Sequence, residues 1–215
     1  MNHRIARIFL LALFFAGASF AAPKMGTMTD SRDGKKYKTV KIGEQVWMAE
    51  NLNYETAGSS CYENDSSCIK YGRLYTWTDA MNNEKGCNYS EREKCGDVQG
   101  VCPDGWHLPK DSEWSELHDY VMMKWGNNKS WGFGVPKALL VKSSEAPDGT
   151  NVSGFSANLH DPGFCANCFP FIRFWTTIEL YGDQVFTWEL RDSGFSEERK
   201  GSYDYAVVRC LKNSP

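Results

Sequence analysis

The sequence predicts an α+β fold with two helices, a twisted antiparallel β-sheet and long disulfide-stapled loops. Three observations predict it. Strand-type alternation occupies both ends of the chain, helix-type periodicity is confined to the middle, and eight cysteines lie in polar, loop-rich surroundings behind an export-type leader.

The leader is MNHRIARIFLLALFFAGASFAA. Arg4 and Arg7 precede an apolar run from Ile8 to Ala16, and Ser19 and Ala21 fit a small-residue cleavage site. The pattern is that of a secretory signal peptide over residues 1–21, since the apolar run is too short to span a bilayer. Residues 22–215 then form a single domain, with no interdomain linker and no internal repeat. With 24 Lys and Arg against 27 Asp and Glu, the net charge is −3, and no basic block is present. Nucleic acid is therefore not an expected partner. No further apolar run suits a transmembrane segment, so the expected product is exported to the periplasm, outer surface or medium.

From Thr27 to Leu52 the chain reads as β. A short strand is followed by an Arg32-Asp33-Gly34-Lys35 turn, an alternating strand from Tyr37 to Ile42, a turn at Gly43, and a third strand at Val46-Trp47-Met48. The segment from Cys61 to Cys68 reads as a polar loop. Leu74, Trp77 and Met81 then recur at helical spacing, and Asn82-Asn83 end that helix. Cys87 to Cys95 encloses a charged loop. In VCPDGWHLPKDSEW, Pro103-Asp104-Gly105 makes a turn, Trp106 and Leu108 a short extended piece, and Pro109 leads into a helix from Asp111 to Trp125. Trp114, Leu117, Val121 and Trp125 share one face of that helix. Glu113 stands where a capping box needs its acid, but Lys110 supplies no capping oxygen, so the box is half built.

Gly126–Val135 reads as a Gly- and Asn-rich loop, Pro136–Lys142 as a short helix and Ser143–Gly154 as a loop. Strands are expected in GFSANL, FIRFWTTIEL, DQVFTWELR and DYAVVRCLK, with Ala206, Val208 and Cys210 on one face of the last.

Export makes disulfides the natural use of an even cysteine count. Spacing suggests Cys61–Cys68, Cys87–Cys95 and Cys165–Cys168, which leaves Cys102 with Cys210, although eight cysteines admit on the order of a hundred pairings. A bond closing a loop of roughly a hundred residues contributes about 4–5 kcal/mol in the chain-entropy model, more than any local pair. On this reading Cys102 ties the start of the central helix to the last strand, with Trp106 and Trp114 packed around the bond.

Catalytic constellations are scarce. The Cys165-Ala166-Asn167-Cys168 motif lies between Pro162-Gly163 and Phe169-Pro170, in loop context and not at the helix start that a thioredoxin-like site needs, so a loop staple is preferred to redox chemistry. A zinc site built on His160, Cys165 and Cys168 competes with oxidation of the same thiols. No nucleophile elbow, EF-hand, phosphate loop or dinucleotide fingerprint is present, and His107 reads as a structural side chain beside Trp106. No catalytic residue, metal ligand or cofactor is assigned; calcium stays open without a motif to support it. The remaining signal is aromatic and polar residues at element ends and in loops. Trp125, Trp131, Phe133, His160, Asp161, Tyr181 and Asp183 are the candidate ligand-binding residues, because flat exposed rings serve as platforms for sugars and for proteins.

GTMTDSRDGKKYKTVKIGEQVWMAENLNYET, CYENDSSCIKYGRLYTWTDAM, GVCPDGWHLPKDSEWSELHDYV, GFSANL, FWTTIE and VVRCLKN resemble, in order, the Fibrobacter succinogenes major paralogous domain. That family is exported and often present as many paralogues, with no established activity to carry over. It in turn looks like the C-type-lectin-like superfamily, which includes the formylglycine-generating enzymes. Leu108-Pro109 followed by Glu113-Trp114 is similar to a helix start in that enzyme group, and Val208-Arg209-Cys210 resembles its closing strand. In lectin-like folds a cysteine near an early helix commonly bonds to the last strand, which agrees with Cys102–Cys210. The Glu-Pro-Asn and Trp-Asn-Asp sugar motifs of calcium-dependent lectins are absent, and the reactive cysteines of the enzymes have no matching context. The expected function is an exported non-catalytic binding module for a glycan or a cell-surface protein, with the loops Gly126–Gly154 and Pro162–Pro170 carrying contacts. The alternatives are a formylglycine-enzyme-like oxidoreductase and a structural surface or assembly protein.

Overall fold

The computed structural model describes residues 22–126, 134–160 and 169–214. The expected signal peptide, Trp131, Phe133, Asp161 and the Cys165–Cys168 pair lie outside them.

The N-terminal β prediction holds. Strand β1 (Lys24–Thr29) pairs antiparallel with β2 (Lys36–Ile42), which pairs with β3 (Gln45–Met48). The first turn is locked by Asp30, fully buried, whose carboxylate accepts from the backbone N, Nε and Nη2 of Arg32 at 2.7–3.0 Å. Gly34 adopts φ 74°, a conformation that favours glycine.

Among the described residues four α-helical segments follow, where two main helices and a short one at Pro136–Lys142 were expected. α1 (Asp65–Tyr71) lies within the segment read as a loop, with Asn64 as its N-cap accepting from Ser67 N. Asn, Asp and Ser are loop residues and also cap residues, so composition alone did not separate the two. The helix expected over Leu74–Met81 shrinks to one turn, α2 (Trp77–Ala80), because Leu74 and Tyr75 form strand β4. Strand β5 (Cys87–Asn88) and a 3₁₀ turn (Tyr89–Lys94) fill the next disulfide loop, and β6 (Trp106–His107) precedes α3 (Asp111–Trp125), which has the predicted bounds. Its capping box is half built as expected, with Lys110 N donating to Glu113 Oε2 at 2.8 Å. α4 (Gly134–Leu139) begins two residues before Pro136.

The C-terminal half contributes β7 (Ile172–Glu179), β8 (Gln184–Leu190), β9 (Phe195–Gly201), β10 (Ala206–Val207) and β11 (Leu211–Lys212). They do not form the single antiparallel sheet expected. One sheet runs β1-β2-β3-β11-β6, and a second runs β4-β10-β7-β8-β9 with β5 on β7. β10 and β5 both pair parallel to β7. β10 reaches β7 only after the chain has passed through β8 and β9, and such a crossing connection admits a parallel partner where a tight hairpin cannot. GFSANL is not a strand either. Phe155, Ala157 and Leu159 are buried in alternation, but Ser156 takes φ 60° and breaks the extended path.

The core has two halves. In one, Trp114 of α3 packs against Trp47 (ring centroids 4.6 Å) and Phe174 (5.0 Å), beside Leu117, Val121 and Leu190. In the other, Met48, Tyr75, Trp106, Val208 and the Cys102–Cys210 bond pack together. Trp114 therefore does not pack around that disulfide: α3 turns it inward, to the other half. The closing segment alternates between the halves, with Ala206, Val208 and Cys210 in the second and Val207 and Leu211 in the first. All three disulfides expected among the described residues are formed: Cys61–Cys68, Cys87–Cys95 and Cys102–Cys210. Among the described residues no helix is long and apolar enough to cross a membrane.

Candidate functional site

A cleft of about 370 Å³ opens where the segment ahead of α1, β4, the start of β7 and the approach to β10 meet. Its wall begins at the Cys61–Cys68 staple, which holds Tyr62 against the body of the domain. The Tyr62 ring lies on the His160 imidazole at 3.9 Å, and Tyr71 meets the same imidazole edge-on at 5.1 Å. His160 is fixed through its backbone, exchanging hydrogen bonds of 3.2 Å with Phe171 on both N–H and C=O. Burial pushes the Tyr62 phenol well above its ordinary pKa, so it stays a neutral hydroxyl.

The opposite wall is charged and rigid. Arg173 donates from Nε and Nη2 to one oxygen of buried Glu189, at 3.1 and 2.7 Å, and Arg191 pairs with its other oxygen. Both guanidinium groups lie over the Phe171 ring, at 4.7 and 5.1 Å. A buried carboxylate held by two arginines anchors the aromatic floor without spending Arg173 Nη1, while Arg191 also donates to Phe169 O at 3.3 Å. Glu63 and Asp204 add carboxylates to the lining, and Tyr205, 48% exposed, stands at its rim. Aromatic faces with a few fixed donors and acceptors, in a cavity of this size, are what a small polar ligand with apolar C–H faces requires.

Of the expected residues that are described, His160 lies in this cleft and Trp125, Tyr181 and Asp183 do not. Tyr181 and Asp183 are exposed on the β7–β8 turn, where Asp183 O accepts from Ser202 N at 2.7 Å. Trp125 ends α3, half-buried against the core and 6.2 Å from the Tyr120 ring. Neither place contributes to the cleft lining. Sequence reasoning missed Tyr62, Phe171, Arg173, Asp204 and Tyr205. Phe171 and Arg173 stand in a strand that reads as core, and Tyr62 sits in the stapled loop.

A second cluster answers the density of VCPDGWHLPKDSEW. His107, 2% exposed, contacts Asn213 Oδ1 through Nδ1 at 2.8 Å and Glu113 through Nε2 at 3.1 Å. Burial opposes the charged imidazole, but Glu113, Asn213 and Asp97 outweigh it and hold its pKa above the ordinary value. Asp97, His107 and Glu113 lie close enough to share a cation. The ammonium of Lys110 already occupies that role, 2.7 Å from Asp97 and 3.6 Å from Glu113. The motif is thus a joint binding the head of α3 to the C-terminal strand, the structural role expected of His107.

A family model described as the Fibrobacter succinogenes major domain matches residues 40–212. No curated protein and no solved structure matches the chain. The matched span contains the described disulfides, the His107–Glu113 pair and the whole cleft, and the chain belongs to the Fibrobacter succinogenes major domain family.

Proposed function

We propose that this protein is an exported, non-catalytic binding module of C-type-lectin-like type, and that it recognises glycan through the cleft at His160. Export is supported by the leader pattern and by three disulfides, which persist in oxidising compartments. The lectin-like reading rests on a disulfide from the head of the central helix to the closing strand. The observation that carries the ligand class is the close Tyr62–His160 ring contact in one lining with Arg173, Glu63 and Asp204, rimmed by Tyr205. Stacking surface plus fixed charged hydrogen-bonding groups suits the two faces of a sugar ring.

The test is a panel of plant and bacterial polysaccharides, insoluble cellulose included, run with calcium and with chelator. Tyr205→Ala removes a half-exposed ring and leaves the core intact. It is expected to weaken binding about tenfold, the loss of one stacking contact, with no change in melting temperature. Failure to bind any glycan, or indifference to Tyr205→Ala, rejects the reading. A titratable thiol in the native protein would instead favour the oxidoreductase alternative, and self-association without sugar affinity the assembly protein.

A further inference from the structure

A second cleft, of about 520 Å³, lies between the first sheet and α1 and has a different character. One of its lining residues is Arg209, only 1% exposed. Nε donates to Asn51 Oδ1 at 2.8 Å, and Nη1 donates to Phe155 O at 2.5 Å and Met48 O at 3.4 Å. All three acceptors are neutral, and among the described residues Nη2 has no protein acceptor and no carboxylate lies in ion-pair distance. The ring of Phe155 lies beneath the guanidinium at 4.4 Å. Burial pulls the Arg209 pKa down, to about 9, against the weaker opposing effect of the Glu50 charge, which leaves the group cationic at neutral pH.

A buried cation held only by neutral oxygens is costly, and such sites are stabilised by an anion. The surroundings add to the positive field. Lys36, Lys38 and Lys70 line the cleft, in a chain whose net charge is −3. The lining carboxylate, Glu50, is engaged by the backbone N of Lys38 at 2.7 Å. Neither Lys36 nor Lys38 forms a side-chain ion pair among the described residues, so both ammonium groups can turn to a ligand.

We propose that this cleft is an anion-binding site, in which Arg209 receives a carboxylate or phosphate group of a small ligand and Lys36 and Lys38 close over it. Two sources share that chemistry, an acidic sugar such as a uronic acid and a phosphate. The site is separate from the His160 cleft and does not depend on the reading given for it.

The experiment is calorimetric titration of the full-length mature protein with oligogalacturonate, with inorganic phosphate and with a neutral cello-oligosaccharide. Arg209 is too deeply packed for a clean substitution, so the variant is Lys36→Gln/Lys38→Gln, whose side chains are at the surface; its fold is checked by thermal melting. Binding of either anion, weakened roughly tenfold in the double variant as two partly solvated charge contacts imply and unchanged by Tyr205→Ala, supports the site. Oligogalacturonate without phosphate assigns the sugar, and phosphate without oligogalacturonate assigns the phosphate. No binding of either anion, equal binding of the neutral oligosaccharide, or anion binding indifferent to the double substitution overturns it.

Discussion

Glu197, on β9, faces Asp111 in the first turn of α3, whose Oδ1 accepts from Trp188 Nε1 at 2.7 Å. Glu197 Oε1 is buried without a hydrogen-bond partner among the described residues. Burial first, and then the charge of Asp111, push the Glu197 pKa up to about 7, against the opposing pull of Arg92 and Arg199. The folded state therefore holds this proton at pH values where the unfolded chain, near the ordinary 4.5, has lost it. The contribution is present in full below the unfolded value and disappears as pH rises through the folded one, so stability should fall between about pH 4.5 and 7. Glu197→Gln keeps the shape and removes the ionisation. It is expected to raise the melting temperature at pH 8 and to leave it unchanged at pH 4. An equal shift at both pH values would mean that the side chain acts through packing and not through charge.

At the scale of elements, α3 and the closing segment are joined twice, by the His107 joint and by the Cys102–Cys210 bond, whose partners are 108 residues apart. In the chain-entropy model a loop of this length contributes about 4–5 kcal/mol, against about 2–3 kcal/mol for the short Cys61–Cys68 loop. Replacing both Cys102 and Cys210 by serine should therefore lower unfolding free energy by the larger amount, and replacing Cys61 and Cys68 by the smaller, each read from denaturant titration. Equal losses would reject loop length as the cause. The same elements show what a sequence carries. α3 was legible because Trp114, Leu117 and Val121 repeat with helical period behind a proline. β9 was missed because its FSEERKG run is charged and half-exposed, so it lacks the apolar alternation that marks an inner strand. β8 is buried on both faces, with Trp188 and Leu190 in the first core half and Val185, on the opposite face, in the second. The His160 cleft was almost illegible. Tyr62, His160, Phe171, Arg173 and Tyr205 come from separate segments, and only the bridge at His160, the disulfide at Cys61 and the return of β10 bring them together.

The whole molecule depends on its last described residues more than their number suggests. β10 sits between β4 and β7 in one sheet, and β11 sits between β3 and β6 in the other, so both sheets place an inner strand in the segment 206–212. Between them run Val208 and Cys210, fully buried, and Arg209, which ties Asn51, Met48 and Phe155. The backbone there also accepts from Leu52 N at Val208 O and from Met48 N at Cys210 O, linking the N-terminal sheet to the closing segment. β1 is the contrast: an edge strand, mostly exposed, paired only with β2. Removing an inner strand from two sheets strands hydrogen-bonding groups on four neighbouring strands and opens both core halves, whereas removing an edge strand exposes one ladder. A chain ending at Tyr205 is expected to show no cooperative melting transition by circular dichroism. A chain beginning at Asp30 is expected to keep one at a moderately lower temperature. A cooperative transition in the first, near that of the intact protein, would show that the two sheets stand without the segment that joins them.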